Sequence, residues 1–424
     1  MISRDKILNK NLLDASRFWD VVYNTEAHMR FRLDTRLLSG EVLTCLPEIV
    51  AEFGDSGVLF ADRAIIQLPL FKQLCDSLRL ISDFNLIPID SGEPTEQQLF
   101  ALKEEVRRHK PEFFIAVGGG SVLDLCKALR TLLDQNSSSL KTAFSHEQLA
   151  CASSLPMIAI PTTAATGAEV SRYVVIYERN GRKRGFRSWN FCPEVAVVDY
   201  RWIVSLSDKQ IVTGAVDILA HCYEAYVSQG EHSMITDQFC LSGMKMAMDA
   251  SKMILNGESR TNSFYYHLSR AATLGGIALS NVRLGLIHGC GEALASYEKI
   301  NHGNSLALFL EKSVQCDVPF LIKRFEFARN HLQTSANNFR DYLNPLFQLI
   351  EKFSLNKISP QNDMKTLVSG ITESVISDHV LRKESPKPLP ESTVHDFVKQ
   401  SLNSGLTKED KQVGRYNYSS LESI

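Results

Sequence analysis

Four side chains in the second half of the chain have the types and spacing of a metal cage. In Thr213-Gly-Ala-Val-Asp217-Ile-Leu-Ala-His221 a carboxylate and an imidazole stand four residues apart. On a helix that spacing places both on one face, about one turn apart. The residues between them are apolar, so the face is expected to be buried, where an unpaired carboxylate is costly. A surface Asp–His pair has the same spacing, and the pair alone does not decide. Two more imidazoles come from His288, in Leu-Ile-His-Gly-Cys-Gly-Glu, and His302, in Asn-His-Gly-Asn. The glycine after each lets the chain bend closely around a bound centre. One carboxylate with three imidazoles suits a single divalent metal such as Fe(II) or Zn(II).

Two loops have the makings of a nucleotide site. Val117-Gly118-Gly119-Gly120-Ser121 follows an apolar run and opens an amphipathic one. A strand-to-helix turn of this kind presents free backbone N–H groups, which favour phosphate oxygens. A tight turn that binds nothing has the same composition. The run is neither the Gly-x-Gly-x-x-Gly fingerprint nor a P-loop. The second loop, Pro161-Thr162-Thr163-Ala164-Ala165-Thr166-Gly167-Ala168-Glu169, gathers hydroxyls where open α/β sheets bind ligands. It also reads as a hydroxyl-capped turn. Asp62 closes another apolar run, where an acid can take a ribose 2′-hydroxyl and repel a 2′-phosphate, or simply cap a helix.

The elements that hold these residues follow from periodicity. Between 56 and 133, apolar runs alternate with amphipathic ones: strands at SGVLFADRAI, FNLIPID and PEFFIAVGGGS, helices at 70–81, 95–110 and 121–133. That order implies a parallel sheet covered on both faces. LPMIAIPTT reads as a further strand, Asn180-Gly181 as a hairpin turn within 171–188, and VAVVD as the last strand. Beyond about residue 205 helical periodicity takes over, with Ser207 or Asp208 as first cap and helices at 207–228, 233–256, 262–280 and 318–353. The expected organisation is an N-terminal extension 1–28, a dinucleotide-binding α/β domain 29–205, a helical metal-binding domain 206–403 and a polar tail 404–424.

Bulk properties narrow the partners. A chain of 424 residues exceeds one small core. A net charge of −2 gives no basis for a nucleic-acid or membrane-surface partner. No run reaches the roughly 18 apolar residues of a membrane span. Nine scattered cysteines without a CxxC read as reduced thiols, and the chain as cytoplasmic.

Taken in order, the motifs resemble those of the iron-containing (group III) alcohol dehydrogenases, in the superfamily with glycerol dehydrogenase and dehydroquinate synthase. Gly118-Gly-Gly-Ser121-Val-Leu-Asp124-Leu-Cys-Lys127 follows the pattern GGGSxxDxxK, and the segment 161–170 follows PTTxxTGxEV. Gly214 to Ser228, with Asp217, His221 and Glu224, resembles the helix GxDxxxHxxEAYVS. His288 and His302 match the third and fourth metal ligands. The likeness runs from about Met29 to about Leu402, including Asp378 and the Ser-Pro-Lys-Pro stretch at 385–388. It implies a dehydroquinate synthase-like fold: a parallel-sheet α/β domain, an all-helical domain and a cleft between them. It further implies NAD as cofactor, with NADP as the alternative, and a small alcohol or carbonyl substrate; a homodimer is expected. By the same match Gly119, Gly120 and Ser121 hold the pyrophosphate, with Asp124 in the same motif. Thr162, Thr163 and Thr166 line the nicotinamide-ribose side, Lys183 approaches a ribose, and Asp62 favours NAD.

Three positions depart from the family pattern. Glu292 replaces a histidine four residues after the third ligand, Asn301 replaces a proline, and Glu93 an asparagine that contacts the cofactor. Glu292 can relay a proton, bind a polar group on the substrate, or orient a metal-bound histidine. As a carboxylate it would disfavour anionic substrates. A lyase that uses NAD transiently, of the dehydroquinate synthase type, and a non-catalytic nucleotide binder are the competing readings. The first typically has a Glu-His-His set, and the second would not retain metal.

Overall fold

The computed structural model describes residues 31–145, 149, 155–228, 233–315, 319–377 and 390–407. The expected extension 1–28, Asp378, the 385–388 stretch and the tail beyond 407 lie outside them. The first half contains β1 (Arg36–Ser39), α1 (Val42–Phe53), β2 (Ser56–Asp62), α2 (Pro69–Leu78), β3 (Asp83–Ile89), α3 (Glu96–His109), β4 (Phe113–Gly118), α4 (Gly120–Leu132), β5 (Met157–Pro161), the hairpin β6 (Tyr173–Tyr177) and β7 (Lys183–Arg187), and β8 (Val195–Val198). Six strands form one parallel sheet in the order β1-β8-β5-β4-β2-β3.

All of β4 is buried, because its alternate side chains serve two cores. Phe114 and Ala116 join the side chains of α3 and α4, while Phe113, Ile115 and Val117 join those of α1 and α2. This two-sided burial explains why the strands read as unbroken apolar runs. The strand order reverses between β2 and β4, so the carboxyl ends of these neighbours frame a crevice. The glycine run follows directly from β4 into it.

No element was anticipated before Ser56, yet β1 and α1 are there. β1 has four mostly exposed residues at the sheet edge beside β8, too few and too polar to alternate.

The second half holds nine helices among the described residues: α5 (Asp208–Val227), α6 (Met234–Leu255), α7 (Asn262–Asn281), α8 (Leu286–Ala295), α9 (His302–Val314), α10 (Pro319–Leu332), α11 (Phe339–Lys352), α12 (Met364–Ser377) and α13 (Glu391–Gly405). Ser207 and Gln210 exchange bonds in a capping box that fixes the start of α5. From Gly214 onward every residue of α5 is buried, as befits a helix packed on all sides. The single helix expected over 318–353 is two. Gln333 turns left-handed at φ 50°, and Asn338 caps α11 by accepting the Asp341 N–H at 2.8 Å. Both helices pack the same core, so their apolar periodicity runs on across the break. At the far end α13 continues through Gly405, two residues into the expected tail.

The two halves meet where side chains would collide. A Cβ on Gly214 of α5 would strike the Ala164 carbonyl, and one on Gly276 of α7 would strike Gly167. Gly167 is itself left-handed at φ 62°. The loop after β5 therefore lies directly against the backbone of α5 and α7. Gly214→Ala should force this loop off α5, costing about 1–3 kcal/mol and weakening nucleotide binding. Thermal unfolding and titration with NADH would check both effects.

Candidate active site

Three helices bring the three expected imidazoles around Asp217. α5 presents Asp217 and His221 a turn apart, α8 supplies His288 from its first turn, and α9 begins at His302. The Nε2 atoms of His221, His288 and His302 lie 3.5, 3.7 and 3.6 Å from Asp217 Oδ1. The His221 and His288 rings stack at 4.6 Å between centroids. Asp217 Oδ1 and His288 Nε2 are buried without a hydrogen-bond partner. Buried polar atoms are ordinarily paired, and these two point where a cation would satisfy them. Donors on a tetrahedron with bonds of about 2.1 Å stand roughly 3.4 Å apart. The distances from Asp217 Oδ1 are close to this, and Asp217, His221 and His288 bring donor atoms within 4.8 Å of one another, so these residues fit a divalent metal, with His302 a further imidazole 3.6 Å from Asp217.

The cage is electrically prepared. Burial alone would raise the Asp217 carboxyl, but the imidazoles of His221, His302 and His288 hold it far below the usual carboxylate range. Burial drives His221 down to about 4 and His302 to about 3, so both are neutral and ready to ligate at pH 7. His288 differs. Burial lowers it too, but the hydrogen bond to Glu224 and the charges of Glu224 and Asp217 outweigh that and raise it to about 9.

Glu224, within the Gly214–Ser228 motif, has a task that no local spacing announces. It lies seven residues after Asp217 on the same face of α5. Its Oε2 meets His288 Nδ1 at 2.6 Å, and its Oε1 accepts the Ile287 N–H at 2.6 Å. One carboxylate thus caps the start of α8 and aims the His288 ring, as partners of metal-bound histidines do.

The metal residues open onto a cleft of about 1130 Å³, larger than most pockets for drug-sized ligands. Gly120, Ser121, Asp124, Thr163, Thr166 and Lys183 line it as well. Gly119 caps α4 without a side-chain bond, so the first N–H groups of the helix face the cleft side unclaimed by any cap. A Cβ on Gly120 would press into Thr166 at 2.8 Å, which accounts for glycine there. Asp62, Gly119 and Thr162 are not on the cleft wall. Asp62 Oδ1 accepts the Ala64 N–H at 2.9 Å, and Thr162 donates its N–H to Gly118 O at 3.0 Å. Asp124 is on the wall, yet both its oxygens are engaged, with Lys127 Nζ at 2.9 Å and the Val175 N–H at 3.0 Å. It fastens the β6–β7 hairpin to α4. Lys183 is held by Glu93, 3.0 Å away.

Glu292 projects from α8 into the same cleft. Burial raises its carboxyl above the usual range, opposed by the charges of Lys183 and His288. An acid in such a setting can keep its proton closer to neutral pH than a solvated one.

The chain matches the model described as "Iron-containing alcohol dehydrogenase" over residues 34–200, and "Fe-containing alcohol dehydrogenase family, C-terminal" over 211–404. An alcohol dehydrogenase of Thermococcus barophilus is 23% identical over 352 residues, 81% of this chain and 90% of that one. Among solved structures, an iron-containing alcohol dehydrogenase from Thermotoga maritima superposes with a TM-score of 0.75 at 20% identity, covering 89% of this chain and 100% of that one. Sulfoacetaldehyde reductase from Bifidobacterium kashiwanohense, solved in complex with NAD+, gives 0.75 at 19% identity, over 88% and 98%. At these identities the superpositions establish the fold.

Because His288 carries a proton at pH 7 in the metal-free site, a metal must displace it. Loading should release about one proton per chain, and apparent affinity should rise with pH until about 9, then level off. Glu224→Gln should reduce that release and weaken metal binding by ~10–100-fold. Calorimetry in buffers of different ionisation enthalpy reads both quantities.

Proposed function

We propose, for a chain that belongs to the iron-containing alcohol dehydrogenase family, that it is an oxidoreductase exchanging a hydride between NAD(H) and a small alcohol or carbonyl compound. The observation that carries this reading is the convergence of Asp217, His221, His288 and His302 on one wall of the cleft that also receives the start of α4. When bound, a divalent metal, iron by family, would act as a Lewis acid toward the substrate oxygen, and the nicotinamide would carry the hydride.

The chain's own residues do the rest. Asp217 and the three histidines hold the metal, with Glu224 fixing the ring of His288. The uncapped N–H groups of α4, Ser121 among them, receive the pyrophosphate. The hydroxyls of Thr163 and Thr166 and the ammonium of Lys183 position the nicotinamide half. Glu292 holds a proton beside the reacting oxygen and exchanges it as the carbonyl and alcohol interconvert. NAD is favoured over NADP by Asp62 at the end of β2, where a carboxylate can accept a ribose hydroxyl and repel a 2′-phosphate.

Protein loaded anaerobically with Fe(II) should bind about one metal per chain and oxidise NADH in the presence of small aldehydes. His221→Ala and His302→Ala should lose metal and turnover together. Full metal occupancy in both variants, by elemental analysis, would remove the site. kcat/KM should favour NADH over NADPH, and Asp62→Gly should narrow that ratio.

Glu292→Gln should keep metal and nucleotide but lower kcat by ~10²-fold. Wild-type turnover in this variant would make the residue structural, and loss of metal would place it in the coordination set.

A further inference from the structure

Glu93 and Glu292, two of the departures from the family pattern, lie on either side of one ammonium. Glu93 is on the link from β3 to α3, and this link is stitched to the hairpin. Pro94 O accepts the Tyr177 N–H at 2.9 Å, and Tyr177 faces Lys183 across the rung nearest the turn. Glu93 Oε1 thereby meets Lys183 Nζ at 3.0 Å. The Lys183 side chain is buried, while that of Glu93 is partly exposed.

Glu292 approaches the same rung from α8. Lys183 donates its N–H to Ser296 Oγ at 3.2 Å, and the Tyr177 hydroxyl donates to Ala295 O at 3.1 Å, so the end of α8 is fixed against the hairpin. Glu292 stands one helical turn before Ser296, on the same face. Along β7, Lys183 and Gly185 point to one side. Gly185 leaves that side open, and Glu292 Oε2 comes within 4.0 Å of where a Cβ would stand. The Glu292 carboxyl has no hydrogen-bond or ion-pair partner among the described residues. Burial favours its protonated form. The charged groups around it are Lys183 from β7, His288 on its own helix, Glu93 from the β3–α3 link and Glu224 from α5. Lys183 is the foremost of those that favour the carboxylate, and Glu93 works against it.

We propose that Glu93 is a positioning residue of the carbonyl–alcohol interconversion: it pins the Lys183 ammonium beside Glu292 and offsets its charge, so that Glu292 enters each reduction protonated. The inference rests on the reading of Glu292 as the group that exchanges the substrate's proton, and adds what governs that proton. In reduction the carbonyl carbon gains a hydride from NADH, the C=O π pair moves to the oxygen, and the oxygen takes the Glu292 proton. The carboxylate left behind takes a proton from water. With Glu93 neutral, the ammonium would face Glu292 uncompensated and hold it as the carboxylate, which accepts but cannot donate.

Two measurements test this. In the Zn(II)-loaded protein with NAD+, infrared difference spectra against Glu292→Gln isolate the Glu292 carboxylic-acid band, and its loss with rising pH follows the proton without turnover. Glu93→Gln should move that loss down by about one pH unit, Lys183→Met should move it up, and Glu93→Asp should leave it near the wild-type position. In the Fe(II)-loaded enzyme with NADH and propanal, kcat/KM should fall as pH rises through the Glu292 transition, and this fall should shift in the same directions. A band lost at the same pH in wild type and Glu93→Gln would overturn the inference and leave the oxidoreductase reading intact. So would a Glu93→Gln enzyme whose pH profile is unmoved while its KM for NADH rises, since Glu93 would then be only a cofactor contact. Band shifts as expected, with wild-type turnover by Glu292→Gln, would overturn the reading of Glu292 and the inference with it.

Discussion

The structure is organised around one buried carboxylate. Asp217 sits in the part of α5 that is wholly buried, from Gly214 onward, and a lone charge there would be untenable. Three imidazoles from three helices meet it, and a second carboxylate, Glu224, stands two turns further along the same helix. Everything else in the helical half serves this arrangement. α5 is packed on all sides from Gly214 onward, α8 begins where Glu224 caps it, and α9 starts at His302. A divalent cation would balance an ionised aspartate between two neutral imidazoles and a third that gives up its proton.

The sheet contributes a different discipline. Its strands bury both faces, so function is confined to the carboxyl edge, where the order reverses between β2 and β4. The glycines there work by proximity more than by unusual dihedral angles. Gly119 has an ordinary φ of −74°, and a side chain at Gly120 would displace Thr166. Two loops that look independent in sequence are one packed unit.

How much of this could be read in the chain depended on distance along it. Asp217 and His221 declare themselves by helical spacing, and the sheet by its apolar runs. His288 and His302 needed the further likeness of the motifs, since nothing local ties them to α5. The task of Glu224 was hidden because its partner is 64 residues away. The Lys183–Glu93 pair spans 90 residues, and the engagement of Asp124 with the hairpin spans 51. Periodicity misled where one core is served by two helices, as across Gln333, and was silent for β1, which is too short to show a period.

The glycine seam has a mechanical meaning. Gly214, pressed on the Ala164 carbonyl, lies three residues before Asp217 on α5, less than one helical turn. The loop bearing Thr163 and Thr166 and the helix bearing the metal carboxylate therefore share a rigid fulcrum. A nucleotide bound against the loop and a metal held on the helix would both bear on this one contact, and any coupling between them would be reciprocal.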